Sequence, residues 1–236
     1  MVQVIVFDLD YTLYDDTPYW LGVFREVARI LNDAHAIDEE KAFLALKRIL
    51  EEKTYTYRKI FDDAFCELGI AGSEDYASLI QRSVEIYRNY IPSLVLYPGA
   101  FDVLKEVKKK YRIALLTNGT LPITERKLKI LGIEQFFDCV HCPVPEDRKP
   151  SPKPFLFLLE EFGVEGHEMV YIGDNPEIDF PGAKKCGVKT IRITSGPFAE
   201  SVVSEGAAPD ITVRTLPEVP QALEALVRTG PMSPGI

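Results

Sequence analysis

The stretch Val4-Ile5-Val6-Phe7-Asp8-Leu9-Asp10-Tyr11-Thr12 places two carboxylates two residues apart, directly behind four apolar residues and with nothing basic beside them. Carboxylates this close are costly when ionised together unless a cation or a shared proton relieves them. A hard divalent cation such as Mg²⁺, which takes oxygen ligands, would do so. Three further polar groups are placed at strand ends or in the loop beyond one: Thr117-Asn118-Gly119, the proline-rich Arg148-Lys149-Pro150-Ser151-Pro152, and Gly173-Asp174 with Asp179. Brought to one place, these would supply three or four carboxylates, a hydroxyl, an amide and a lysine. Taken singly, each has a plainer reading, since acidic residues cap helices, Thr-Asn-Gly is an ordinary turn and a loop lysine is usually solvated. The aspartate pair resists that explanation.

The elements that must position these groups can be read from apolar patterning. Short β-branched runs predict buried strands at Val2–Phe7, Arg112–Thr117, Cys139–His141, Met169–Ile172, Lys189–Ile193 and Asp210–Val213. Helical patterns lie between most of them, at Ala100–Lys109, Ile123–Leu131 and Pro154–Phe162, with Gly132 and Gly163 at helix ends. This alternation predicts an α/β fold, a doubly wound Rossmann-like parallel sheet covered on both faces. Such sheets bind ligands at the carboxyl ends of their strands. From Thr17 to Ile91 the alternation stops and only helical periodicity remains. Thr17-Pro18 suits a cap and first turn, ahead of Trp20, Phe24, Val27 and Leu31; Asp38 can open a second helix with Phe43, Leu46 and Leu50. A third carries Ile60, Ala64, Phe65 and Leu68 and stops at Gly69; Ser73 can cap a fourth with Ala77, Ile80, Val84 and Tyr87 on one face. The expected division is an α/β core of residues 1–15 and 93–236 with an inserted all-helical module at 16–92, roughly 75 residues and within the range of small helical bundles. The tail from Thr229 reads as a frayed end.

The 236 residues carry a net charge of −9 and no long basic run, which argues against nucleic acid or an anionic membrane as partner. No apolar stretch nears the roughly 20 residues of a membrane-spanning helix, and the N-terminus lacks a secretory pattern. With four cysteines (Cys66, Cys139, Cys142, Cys186), the expectation is free thiols and a cytoplasmic setting. Cys139 and Cys142 flank His141 in a C-x-x-C pair, but no second pair of zinc ligands accompanies them, so a short strand is the preferred reading.

The set Asp8-x-Asp10-x-Thr12, Thr117, Lys149 and Gly173-Asp174 followed by Asp179, in that order, resembles the haloacid dehalogenase superfamily. The helical insert is similar to that family's cap of the first type, and Tyr97-Pro98-Gly99-Ala100 is similar to its entry into the helix before the second core strand. The resemblance implies a phosphatase working through a covalent aspartyl-phosphate. Asp8 would be the nucleophile, and Asp10 the acid for the leaving oxygen and then the base for water. Thr117, the amide of Asn118 and Lys149 would bind the phosphoryl group. Mg²⁺ would be held by Asp8, the Asp10 carbonyl and Asp174, with Asp179 outside that set, orienting a metal-bound water or Lys149. Thr12 would stabilise the loop. Lys153, four residues past Lys149, is a rival for its role, but the family's Lys-Pro pattern matches "KPSP" and leaves Lys153 solvated at the next helix start. The insert would close over the site, with Tyr55, Tyr57, Tyr76, Tyr87, Tyr90, Arg58 and Lys59 as candidates for reading the substrate.

The expected substrate is a small phosphorylated metabolite: phosphoglycolate, a triose or sugar phosphate, or a nucleoside monophosphate. The alternatives are a 2-haloacid dehalogenase, against which Asp10 counts, a sugar phosphomutase using the same residues, and a catalytically silent regulatory protein, against which the intact motifs count. The oligomeric state is not indicated.

Overall fold

A computed structural model of the chain describes residues 1–53, 57 and 59–228. Tyr55, Arg58 and the tail from Thr229 lie outside the described residues. The first strand, β1 (Val4–Phe7), is followed by four helices: α1 (Thr17–His35), α2 (Glu39–Lys53), α3 (Ile60–Glu67) and α4 (Tyr76–Asn89). Alternation then sets in with α5 (Ala100–Lys108), β2 (Arg112–Leu116), α6 (Leu121–Leu131), β3 (Cys139–His141), α7 (Lys153–Phe162) and β4 (Met169–Gly173). It ends with α8 (Pro176–Lys185), β5 (Lys189–Ile193), β6 (Ile211–Val213) and α9 (Val219–Arg228). The chain divides into two compact units, residues 1–15 with 94–236 and residues 16–93.

The larger unit is a six-stranded, all-parallel sheet in the order β3-β2-β1-β4-β5-β6, a doubly wound α/β fold. β1 lies in the middle, with Phe7 paired to Leu115 on one side and to Ile172 on the other. Its burial is complete on both faces, as a parallel sheet under two helical layers requires. Val4, Val6, Ala114, Leu116, Met169 and Tyr171 form one face and pack with Phe155 and Leu158 of α7 and Phe180 and Ala183 of α8. Ile5, Phe7, Ile113, Leu115, Val170 and Ile172 alternate with these and are equally buried, on the other face. Each such large apolar side chain contributes about 1.5–3 kcal/mol of burial, so the strands are held firmly in register. Where the chain departs from the sheet for residues 16–93 and where it returns, two short extended pieces meet. Tyr14 bridges Leu96 antiparallel, and Tyr97 N donates to Leu13 O at 2.9 Å.

The expected strands all form, with ends moved by one or two residues. β1 begins at Val4 rather than Val2, and Thr117 lies just past β2, its N–H donating to His141 O at 3.2 Å. α6 starts at Leu121, two residues ahead of the expected Ile123, because Pro122 fits its first turn. Gly132 and Gly163 end α6 and α7 at positive φ.

In the helical unit, α1, α2 and α3 bury most of the expected apolar residues, among them Phe24, Val27, Leu31, Phe43, Leu46, Leu50, Ala64 and Phe65, while Trp20 and Leu68 are half-buried. Asp38 caps α2, accepting from Lys41 N at 2.9 Å. Two expected caps are corrected. Asp16, not Thr17, occupies the cap position of α1, and Ser73 stands outside α4, whose cap position is Asp75. Ser73 Oγ instead donates to Ile70 O at 3.0 Å. The face of α4 is turned from the expected one: Leu79 and Ser83 are buried, Ile80, Val84 and Tyr87 are half-buried and Ala77 is exposed. Tyr57 and Tyr76 donate to Asp63 (2.6 Å) and Asp62 (3.2 Å), and Tyr87 and Tyr90 meet Tyr19 edge-on. Lys59 is exposed ahead of α3.

Candidate active site

Asp8 extends β1 by one residue, its N–H donating to Ile172 O of β4 at 2.8 Å. The register therefore sets Asp8 beside Gly173 and close to Asp174. Past Asp10 the chain turns back through Tyr11, which takes a left-handed φ of 62°, and Leu13 N donates to Leu9 O at 3.0 Å. This turn returns Thr12, fully buried, to the strand end. Its hydroxyl lies 3.2 Å from Asp174 Oδ1 and 3.5 Å from Asp8 Oδ2, so it does more than stabilise the loop: it bridges two carboxylates.

Asp179 reaches the same place from the first turn of α8. Its Oδ2 accepts from Asn175 N at 2.9 Å. Only glycine at 173 allows this, because a Cβ there would stand 2.4 Å from Asp179 Oδ2. Oxygens of Asp8, Asp174 and Asp179, all buried, lie within 4.8 Å of one another. Lys149 completes the group. Its Nζ, on a side chain 3% exposed, contacts Asp8 Oδ1 (2.6 Å), Asp179 Oδ1 (2.7 Å) and Tyr171 Oη (2.5 Å), so all three of its protons are used. The Lys149 peptide is itself clamped by Asn118, whose Oδ1 accepts Lys149 N at 3.0 Å and whose Nδ2 donates to Lys149 O at 2.9 Å. The side-chain amide of Asn118 is thus committed, and its backbone N–H is the group left to face a ligand. Thr117, buried at the end of β2, accepts Gly119 N on Oγ1 at 3.1 Å, which leaves its own proton to donate. Lys153, the rival lysine, is 64% exposed and pairs with Asp147 at 2.5 Å.

Burial raises the Asp8 carboxyl to about 7; the Lys149 ammonium opposes this, while Asp179 and Asp10 add to it. Burial likewise lifts Asp174 well above the usual carboxylate range, with Asp179 and Asp8 reinforcing it. For Lys149 burial favours the neutral amine, but Asp179 and Asp8 together outweigh it and the ammonium is held more tightly than usual. Three carboxylates against one ammonium leave −2 when all are ionised, a charge a divalent cation would balance. Asp174 Oδ2 is buried with no hydrogen-bond partner, an orphaned acceptor at the place where a cation would need one. Asp179 has both oxygens engaged. The donor set therefore fits a hard, oxygen-seeking divalent cation, with Asp174 and Asp8 better placed to hold it than Asp179.

Asp10 stands apart. Its carboxylate is outside the three-acid cluster and partly exposed, and Oδ1 is held by Lys127 Nζ at 2.7 Å and Tyr14 Oη at 2.5 Å. Lys127, Tyr14 and Tyr171 are residues that motif reading passes over. A signal existed for Lys127, which falls four residues after Ile123 and four before Leu131, on the apolar stripe of α6 where a lysine is out of place. Tyr171 lies within an apolar strand, and only its hydroxyl marks it out. All four cysteines are free, and Cys139 lies in β3.

Residues 2–187 match the haloacid dehalogenase-like hydrolase family model. The chain belongs to that family and is an enzyme of the hydrolase class. It is 31% identical over 226 residues to a glyceraldehyde 3-phosphate phosphatase of Methanocaldococcus jannaschii, covering 93% of this chain and 96% of that protein. It is 24% identical over 246 residues to an N-acylneuraminate-9-phosphatase of Mus musculus, covering 96% of each. Among solved structures, the 2-haloacid dehalogenase of Pseudomonas syringae pv. Tomato DC3000 superposes with a TM-score of 0.65 at 25% identity, over 95% of this chain and 99% of that one. No helix among the described residues is long and apolar enough to cross a membrane.

Proposed function

We propose that the protein is a Mg²⁺-dependent phosphatase acting on a small phosphorylated sugar, a triose phosphate above all, through an aspartyl-phosphate intermediate. The observation that carries this is the buried Asp8–Asp174–Asp179 cluster, closed by Lys149 and left with one unpartnered oxygen. The names of the relatives described above support the phosphate-ester class, and the first of them supports the triose.

Mg²⁺ would be held by Asp8, the Asp10 backbone carbonyl and Asp174, where its charge lets one anion approach another and offsets charge on the phosphoryl oxygens. The chain's own groups divide the remaining work. Asp8 attacks phosphorus while the bond to the leaving oxygen breaks, which splits one hard displacement into two easier ones. Asp10 protonates the departing oxygen and later takes a proton from the water that releases phosphate from Asp8. The Thr117 hydroxyl and the Asn118 backbone N–H donate to the phosphoryl oxygens, and Lys149 offsets charge there and on Asp8. Asp179 and Tyr171 hold Lys149 in place.

The test is a panel of phosphorylated metabolites compared by kcat/KM with Mg²⁺ and with EDTA. Triose phosphates are expected at the top of the ranking, with turnover silenced by EDTA; undiminished phosphate release in EDTA would overturn the metal assignment. A second reading, carbon–halogen hydrolysis, is favoured by the superposition on the 2-haloacid dehalogenase, but a proton donor such as Asp10 has no task in releasing halide. Halide release from a 2-haloacid without Mg²⁺ would favour it.

A further inference from the structure

The site contains a second buried lysine that the cation cluster does not use. Lys127, from the middle of α6, is 4% exposed, and its Nζ lies 2.7 Å from Asp10 Oδ1. The Tyr14 hydroxyl reaches the same oxygen at 2.5 Å, and Lys127 Nζ sits 5.5 Å from the centre of the Tyr14 ring. Two segments that are distant in sequence thus converge on one oxygen of one carboxylate. Burying a lysine costs hydration and side-chain freedom, and apolar residues serve on the same face of α6 at Ile123, Leu128 and Leu131. What the ion pair adds over another apolar contact is direction. A carboxylate can rotate about its Cβ–Cγ bond, and two donors on Oδ1 stop that rotation.

We propose that Lys127 is a positioning residue for proton transfer: with Tyr14 it holds Oδ1 of Asp10 so that Oδ2 faces the reacting oxygens. This rests on the phosphatase reading above. In the first step Asp8 forms a bond to phosphorus, and the bond from phosphorus to the leaving oxygen breaks with its electron pair going to that oxygen. The leaving oxygen takes the proton from Asp10 Oδ2. In the second step water bonds to phosphorus, gives a proton back to Oδ2, and the bond from Asp8 to phosphorus breaks to return the Asp8 carboxylate and free phosphate. Lys127 touches no reacting atom in either step.

An aligned proton donor matters in proportion to how badly the leaving oxygen needs a proton. The experiment compares kcat/KM, which reports events up to transfer onto Asp8, for two esters: glycerol 3-phosphate, whose alkoxide must be protonated, and 2,4-dinitrophenyl phosphate, whose phenolate departs without a proton. Lys127→Met, close in volume, is expected to lose about 10- to 100-fold on the alkyl ester, part of the roughly 10²- to 10⁴-fold that general acid catalysis supplies, and less than about threefold on the aryl ester. Lys127→Arg should regain most of the loss. Tyr14→Phe removes the other donor while keeping the ring packed; it should show the same bias at smaller size, and it carries the test if Lys127→Met does not fold. Equal losses on both esters, or no loss on the alkyl ester, would overturn the proposal while the phosphatase reading stood. Absence of phosphate release by the wild-type enzyme from either ester with Mg²⁺ would remove both.

Discussion

In the role proposed for it, Asp8 carries two opposed demands, since it would have to be ionised to attack phosphorus yet sits where burial favours its proton. Asp8→Asn keeps the shape and removes the nucleophile. The expected outcome is a loss of about 10⁴-fold or more in phosphate release, of the kind seen when a nucleophile is deleted. Without Mg²⁺ at pH 8, the variant's melting temperature should match or exceed that of the wild type, because a buried charge has been neutralised. Substantial turnover by the variant would sink the nucleophile assignment. The sequence made Asp8 and Asp10 visible because like charges two residues apart require an explanation. It did not show that they part company in space, one joining Asp174 and Asp179, the other turning to Lys127. Side-chain direction past a strand end depends on the turn that follows, here one that passes through a left-handed Tyr11. Lys127 and Tyr171 were passed over for a related reason: an apolar stripe and an apolar strand mark both positions as buried, but only tertiary partners show what their polar ends meet.

At the scale of elements, the join between β4 and α8 is the constraint that bears on the site. Asp179 approaches the strand end across a gap that a methyl group would fill. Gly173→Ala is expected to displace Asp179, loosen its hold on Lys149 and Asn175, and lower kcat/KM at least about tenfold, at a stability cost of about 1–3 kcal/mol typical of overpacking. Kinetics and urea unfolding of the variant check this, and wild-type behaviour in both would refute it. The core strands were legible because each is a short apolar run between turn residues, and their ends moved by only a residue or two, the usual uncertainty. The face of α4 was not legible. The helix starts two residues later than Ser73 suggested, and one of its two buried positions is Ser83, which donates its hydroxyl to Leu79 O at 2.8 Å. A serine satisfied within its own helix is invisible to a count of apolar residues.

For the molecule as a whole, the acid cluster couples stability to pH and, on the metal-binding reading proposed above, to a divalent cation. The folded protein holds the Asp8 proton up to about pH 7, whereas an unfolded aspartate releases it near 3.8. The metal-free fold therefore draws most support from this group below pH 3.8 and loses it as pH rises towards 7, with Asp174 acting in the same direction. A cation that binds only the folded, ionised cluster reverses that trend. Thermal melts should accordingly show a larger gain from millimolar Mg²⁺ at pH 8 than at pH 5. Equal gains at the two pH values would argue that the ion binds elsewhere.

The short pairing of Leu13 and Tyr14 with Tyr97 and Leu96 has a consequence for how such a protein can be remade. The two points at which residues 16–93 leave and rejoin the α/β unit are already neighbours, so a graft of different size need not pull the ends of β1 and β2 apart. Lengthening such an excursion costs chain entropy only logarithmically. One gene segment can then be traded for another while the acids keep their spacing, a natural seam for recombination and for an engineer's scissors alike.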